Sequence, residues 1–209
     1  MRLSLLLLAV VSAVSAWAAD GPPRITFSKS FVGSTPAFFA ITVERSGAAT
    51  YNESTDPDNA EPLQLEAHAT EEIFSLADKL EHFRRPLESG LKVANMGMKT
   101  LRWEEGAQAS ESAFNYTLVE DAKLLSDWFE RIGDSARLLL ELRRAAKHDR
   151  LGVNQAILSI QTMWNNRRLL GTAQFLPLLD EVAANEAYIH MARERAAQIA
   201  DGIRASSAR

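Results

Sequence analysis

The 209-residue sequence contains no cysteine. This absence excludes disulfide bonds, zinc–thiolate sites, a cysteine nucleophile and a lipid-bearing cysteine anchor. The sequence also lacks a glycine-rich phosphate loop and the Gly-x-Ser-x-Gly elbow of α/β-hydrolases. Its formal net charge is −4, whereas a protein that binds nucleic acid usually presents a strongly basic face. We therefore expect neither a nucleic-acid partner nor a cofactor.

The longest apolar run stands at the start of the sequence. Leu3 to Val14 follows a single basic residue, Arg2, and Ala16-Trp17-Ala18 then offers small residues where a signal peptidase cleaves. A membrane-spanning helix needs about 20 apolar residues, so this run is short for an uncleaved anchor, which is the alternative. We expect residues 1–18 to be a signal peptide. Since the chain has no cysteine, we expect export to a bacterial periplasm or secreted space.

No later segment of the chain is apolar for long enough to span a membrane. Charge is unevenly distributed along this remaining part. Residues 19–130 carry 10 Lys and Arg against 19 Asp and Glu, a net charge of −9. Residues 131–209 carry 12 against 8, a net charge of +4. Two such parts suit docking on each other, or on a second copy in a homodimer. Two independently solvated surfaces account for the pattern equally well.

Alternating apolar residues predict strands in the first part of the chain, and one helical stretch lies among them. The helix is predicted to begin at Thr70 as its N-cap and to end before Pro86. The strands are predicted at 25–31, 37–44, 48–53, 63–68, 98–105 and 112–118. This order predicts an α+β domain over 19–130, with two β-hairpins around a helix in a mostly antiparallel sheet.

Helical periodicity replaces alternation from about Val119 onward. One apolar stripe is formed by Ala122, Leu125, Phe129, Ile132, Ala136 and Leu139. Further helices are predicted at 152–169, 175–183 and 186–203. We therefore expect a helical C-terminal region over 131–204, followed by a short frayed tail at 205–209.

Two groupings of histidine with carboxylates are candidate sites. Asp78 and His82 are four residues apart on a predicted helix, where a carboxylate that orients an imidazole would form half of an acid–base unit. Glu186, His190 and Glu194 would share one helix face and could ligate a metal. For both groupings an exposed, solvated helix face is the alternative, and overall we expect no metal.

Aromatic and basic residues supply candidate binding surfaces. Trp103, Phe114 and Tyr116 lie on strands that should pair, so together they could line an apolar pocket or a peptide groove, although such residues more often form core. A basic cluster could bind anionic lipid, a polyanionic glycan or the acidic first part of the chain, with a solvated helix end as the alternative. Its members are Arg143, Arg144, Lys147 and Arg150, with Arg167 and Arg168.

Five segments of the sequence resemble a group of uncharacterised exported bacterial proteins: 27–31, 41–45, 87–94, 96–100 and 174–179. The resemblance implies bacterial export and brings no activity, cofactor or catalytic residue. Together with the missing catalytic motifs, it predicts a non-enzymatic binding or interaction module with an unknown protein or envelope partner. The alternative is an envelope-associated hydrolase, which would place His82 or His190 in a deep cleft beside a carboxylate and a hydroxyl.

Overall fold

A computed structural model describes residues 21–207 of the chain, so the predicted signal peptide and the last two residues of the predicted tail lie outside the described residues. The strands are β1 Arg24–Ser30, β2 Phe38–Glu44, β3 Ala48–Asn52, β4 Glu61–Gln64, β5 Met98–Glu105 and β6 Gln108–Phe114. The α-helices are α1 Ala67–Lys79, α2 Glu120–His148, α3 Arg150–Asn165, α4 Leu176–Ala184 and α5 His190–Ser207. Among the described residues, no helix is long and apolar enough to cross a membrane.

The six strands form one antiparallel sheet in the order β4-β3-β2-β1-β5-β6. Alternation decides which face of the sheet is buried. Ile25 and Phe27 are fully buried under the helices, whereas Thr26 points to the other face, where its hydroxyl lies 3.0 Å from that of Thr42. The α+β prediction, an antiparallel sheet with packed helices followed by a helical C-terminal part, is confirmed.

The 29-residue helix α2 belongs to both hydrophobic clusters of the fold. Its first half packs on the sheet, where the Phe129 ring stacks on Phe27 with 5.2 Å between centroids. Its second half, from Leu139 onward, packs among α3, α4 and α5. The predicted boundary between residues 130 and 131 therefore falls inside a continuous helix, and the two parts share a structural element.

Helix α1 differs from its prediction at both ends. It begins at Ala67, because Glu66 is the extended residue before it and Thr70 lies within the helix. After Lys79 the chain does not continue as a right-handed helix to residue 85. Glu81, His82 and Phe83 instead adopt left-handed conformations, with φ of 52°, 55° and 63°.

Strand β6 begins four residues earlier than predicted. The turn between β5 and β6 contains only Gly106 and Ala107, since Glu105 already pairs with Gln108. Gly106 has a φ of +56°, a conformation that glycine adopts at low cost in a tight hairpin turn. The strand consequently ends at Phe114, so the predicted continuation through Tyr116 to residue 118 is wrong.

Candidate ligand-binding pocket

The predicted pair of Asp78 and His82 does form: His82 Nε2 lies 2.8 Å from Asp78 Oδ1. The imidazole also stacks on the Trp103 indole, with 4.0 Å between centroids and 12° between planes. The Ser110 hydroxyl donates to the main-chain carbonyl of His82 rather than to its ring. Among residues 21–207, no hydroxyl group hydrogen-bonds to this imidazole.

The three-residue face of Glu186, His190 and Glu194 is not present. Helix α5 begins at His190, so Glu186 lies in the preceding turn. His190 Nε2 lies 3.1 Å from Glu194 Oε1, with 79% and 58% of the two side chains exposed. Within the described part of the chain, no group of three His, Asp or Glu residues is placed to hold a metal ion.

The three aromatic residues proposed as one wall lie in two places. Trp103 is opposite Ser110 on β6 and belongs to the core, in edge contact with the Phe74 ring. Phe114, four residues further along β6, lines a cavity of about 310 Å³ together with Tyr116. The difference follows from the register of β5 and β6, which sets Phe114 and Trp103 on separate rows of the sheet.

The basic residues also separate into two groups. Arg144, Lys147 and Arg150 are exposed where α2 meets α3, while Arg143 Nη1 bonds to Glu61 Oε2 at 3.0 Å. Helix α3 has 16 residues and is therefore about 24 Å long, and Arg167 and Arg168 follow its far end. The single basic cluster that the sequence predicted is therefore not formed.

A cavity of about 590 Å³ lies where α1, α2, the α3–α4 connection and the end of α5 meet. This volume is within the range of small-molecule sites in proteins. Its lining includes Glu66 and His68 from the start of α1, Arg131 from α2, and Trp164, Arg167 and Thr172 from the α3–α4 region. Four separate elements therefore contribute polar groups to one concave surface.

Arg131 is held rigidly at this cavity. Its guanidinium lies over the Trp128 ring, 4.2 Å from the centroid. Its Nη2 donates to the carbonyl of Arg167 at 3.0 Å. Burial lowers the pKa of Arg131 from its usual range, and the nearby Asp127 charge opposes that shift. Because an arginine keeps its proton in proteins, this residue contributes a fixed and partly desolvated positive charge.

Arg167 supplies a second cation at the same cavity. It has a φ of 54°, and its backbone N–H bonds to the carbonyl of Trp164, so the left-handed residue turns the chain after α3. Within residues 21–207, its guanidinium takes part in no hydrogen bond or ion pair. The neighbouring Arg168 differs, since its Nη2 lies 2.7 Å from Asp127 Oδ1. Arg167 thus has donors available for a ligand.

Among the described residues that line the cavity, Glu66 is the one that carries a carboxylate, and its oxygens already accept hydrogen bonds. Oε1 accepts from the Thr172 N–H and hydroxyl, both at 2.8 Å, and Oε2 accepts from the Gly171 N–H at 3.0 Å. Burial would raise the pKa of Glu66, but hydrogen bonds from Thr172 and Gly171 outweigh burial and lower it. The carboxylate is therefore charged, and it stabilises the fold by accepting these hydrogen bonds.

Trp164 forms an aromatic wall of the cavity. It is half-buried, and it can pack closely on α5 because Gly202 has no side chain: a Cβ there would lie 3.0 Å from the indole Cζ2. An indole ring in the same cavity lining as two arginines suits a ligand that combines a flat apolar part with an anionic group.

Sequence reasoning did not find this pocket. It assigned Arg167 to a different surface, and it did not consider His68 or Arg131 as site residues. The sequence pattern did not indicate that α3 ends at Asn165, four residues before the predicted end. Because the helix ends there, Arg167 lies in the connection to α4, where it lines the cavity.

Comparison with known proteins adds no relative: no family model matches the chain, and no curated protein is significantly similar to it. The geometry of the pocket is therefore the basis on which a function is assigned.

Proposed function

We propose that this protein is a non-enzymatic binding protein whose 590 Å³ pocket takes a small organic anion with an aromatic or flat apolar part. The convergence of Arg131 and Arg167 on one cavity beside Trp164 is the observation that carries the proposal. Two cations face one carboxylate, and the oxygens of that carboxylate already accept hydrogen bonds from the protein. The net charge of these three side chains is positive, and it therefore favours an anionic ligand.

Guanidinium groups suit this role because each presents planar donors that match the two oxygens of a carboxylate or the oxygens of a sulfonate or phosphate. Arg131 is preorganised by Trp128 and by the Arg167 carbonyl, so little side-chain entropy is lost when it meets a ligand. Arg167 lines the same cavity and would add a second guanidinium contact to the ligand.

We further propose that the protein acts after export. The support is the sequence pattern of residues 1–18, with its basic start, apolar run and small-residue exit. In that setting the ligand would be a solute of the periplasm or secreted space. N-terminal sequencing of the mature protein tests the export proposal: a start at or near Ala19 is expected, and recovery of Met1 on the mature protein would contradict it.

The binding proposal is tested by calorimetry with 1-naphthalenesulfonate as the anionic probe and 1-naphthalenemethanol as its neutral counterpart. The sulfonate should bind the wild-type protein more tightly, and its affinity should fall as salt is added. Arg167→Gln should weaken sulfonate binding about tenfold or more, since a hydrogen bond to a charged group contributes about 1.5–3 kcal/mol.

Arg144→Gln is the matched control, because it removes an exposed arginine from the end of α2. Its sulfonate affinity should equal that of the wild type. Equal affinity in Arg167→Gln and wild type, or equal affinity of the wild type for the sulfonate and the alcohol, would contradict the proposed site.

A further inference from the structure

Lys29 and Lys99 lie directly opposite each other on β1 and β5, two adjacent inner strands of the sheet. Both side chains point to the face that the helices cover, because they continue the alternation of the buried Phe27 on β1 and Leu101 on β5. Directly opposed residues have Cβ atoms about 4.5–5.5 Å apart, and like charges in such a pair destabilise a sheet. The fold therefore retains an unfavourable pair of cations at a half-buried position.

Of the two lysines, only Lys29 has an acidic partner among the described residues. Lys29 Nζ lies 2.8 Å from Glu130 Oε1 on α2. Among residues 21–207, Lys99 forms no ion pair, and its Nζ reaches only the carbonyl oxygens of Gly97 and Asn115, at 3.5 and 3.4 Å. These distances are at the long limit of a hydrogen bond, so the Lys99 amine is weakly held.

This environment favours the neutral form of the Lys99 amine. Burial lowers the pKa of Lys99, and the charge of Lys29 lowers it further, while Glu130 and Glu88 act in the opposite direction with smaller effect. Desolvation and a neighbouring cation are the two means by which proteins make a lysine nucleophilic near neutral pH.

The Lys99 amine also has space in front of it. Lys99 and Lys29 line the cavity of about 310 Å³ that Phe114 and Tyr116 border. Phe114 is directly opposite Lys99 on β6, and its ring centroid lies 6.0 Å from Lys99 Nζ. An aromatic wall beside an amine suits a flat apolar compound whose reactive group reaches the nitrogen.

We propose that Lys99 is a nucleophilic amine that condenses with a small aromatic aldehyde bound in this cavity and forms an imine. The proposal goes beyond anion binding and concerns a different cavity. The nitrogen lone pair of neutral Lys99 adds to the carbonyl carbon, and one amine proton passes to the oxygen, which gives a carbinolamine. Lys29 then protonates the hydroxyl, the C–O bond breaks and water leaves. Lys29 recovers the second amine proton as the C=N bond forms.

Reductive trapping tests this proposal. The intact protein is incubated near neutral pH with benzaldehyde and sodium cyanoborohydride, which reduces an imine to a stable N-benzyl-lysine, and the modified lysines are identified by peptide mass spectrometry. Lys99 should be labelled several-fold faster than the exposed Lys79 and Lys92. Labelling of Lys99 at the same rate as those two lysines, or more slowly, would overturn the proposal.

Two variants separate a reactive amine from a merely accessible one. Lys99→Arg should remove the fast labelling and leave that of Lys79 unchanged. Lys29→Met removes the opposing cation, so the pH at which Lys99 labelling reaches half its maximal rate should move upward. An unchanged pH profile in Lys29→Met, in protein whose circular dichroism matches the wild type, would overturn the assigned role of the pair.

Discussion

The Glu66 carboxylate accepts hydrogen bonds from the backbone N–H groups of Gly171 and Thr172, at 3.0 and 2.8 Å, and so ties the start of α1 to the α3–α4 connection. The residues are more than 100 positions apart in the sequence. Gly171 has a φ of +61°, and a Cβ at that position would lie 3.2 Å from the Gln64 carbonyl oxygen. A close backbone approach and the half-buried charge of Glu66 thus fix one edge of the proposed pocket.

Glu66→Gln should lower the free energy of unfolding by about 2 kcal/mol at neutral pH, because one of two engaged oxygens is replaced by a donor that faces N–H groups. The pKa of Glu66 is lower in the folded protein than its ordinary value. Its contribution is therefore present above the unfolded pKa and disappears as the pH falls through the folded one. The free energies of unfolding of the two proteins, measured with urea, should therefore approach each other as the pH falls below about 4.3, the ordinary pKa of glutamate.

Glu72→Gln is the control for this experiment, since Glu72 is exposed on the same helix. Its free energy of unfolding should stay within about 0.5 kcal/mol of the wild type at each pH. If Glu66→Gln and Glu72→Gln had the same small effect, the carboxylate would not be the link that holds the two segments together.

A glycine substitution in the left-handed turn at residues 81–83 should raise the free energy of unfolding, whereas the same substitution within a right-handed helix should lower it. Glu81 has a φ of 52°, a conformation that costs a residue with a side chain about 1–2 kcal/mol, whereas glycine adopts it freely. Glycine also increases the conformational entropy of the unfolded chain, which lowers the free energy of unfolding by about 0.5–1 kcal/mol. Glu81→Gly should therefore raise the free energy of unfolding by up to about 1 kcal/mol.

Glu72→Gly makes the same substitution in the right-handed helix α1 and should lower the free energy of unfolding by about 1 kcal/mol. Urea unfolding followed by circular dichroism compares the two. A loss in both variants would show that contacts of the Glu81 side chain, such as its exposed ion pair with Arg85, outweigh the backbone strain.

Local patterns were sufficient to predict several elements. The predicted strand at 98–105 is the observed β5, and the apolar stripe from Ala122 to Leu139 is the buried face of α2. These predictions succeed because the residues that decide them are neighbours in sequence, and each pattern reports which side of its own element is buried.

The two cavities could not be predicted in this way, because they depend on which distant segments meet. Lys29 and Lys99 each occupy an inward-facing position of a correctly predicted strand. The sequence alone therefore shows a charged residue at a position where the alternation predicts an apolar one. What the sequence did not reveal is that the two strands pair in the register that opposes these lysines. Register is set by long-range packing rather than by either strand alone.

Gly133 in α2 and Gly202 in α5 should respond differently to alanine. A Cβ at Gly133 would meet Phe39 and Ile41 at 3.4 and 3.5 Å, which is ordinary contact. Gly133→Ala should therefore gain up to about 1 kcal/mol from helix propensity. A Cβ at Gly202 would lie 3.0 Å from the Trp164 ring, so Gly202→Ala should lack this gain and should displace the indole.

Thermal unfolding and 1-naphthalenesulfonate calorimetry measure both consequences. Gly202→Ala should bind the probe more weakly than the wild type, whereas Gly133→Ala should bind it equally well. Unchanged probe affinity in Gly202→Ala would indicate that the position of the Trp164 ring does not control the pocket.

Tyr51 should make the protein sensitive to alkaline pH. Its hydroxyl donates to Glu53 Oε1 at 2.7 Å. Burial, the hydrogen bond to Glu53 and the charge of Glu53 together raise the pKa of Tyr51 far above its usual range. A group whose folded pKa is raised contributes stability that is present below its unfolded pKa, about 10 for tyrosine, and that is lost as the pH rises.

Between about pH 10 and 11, each pH unit should therefore remove up to about 1.4 kcal/mol through Tyr51 alone, because the unfolded chain releases a proton that the folded chain retains. Tyr51→Phe has no proton to release, so its free energy of unfolding should fall less steeply over the same interval. Urea midpoints measured at a series of alkaline pH values give both slopes. Parallel slopes in the variant and the wild type would mean that Tyr51 ionises as readily in the folded protein as in the unfolded chain, in conflict with its burial beside a carboxylate.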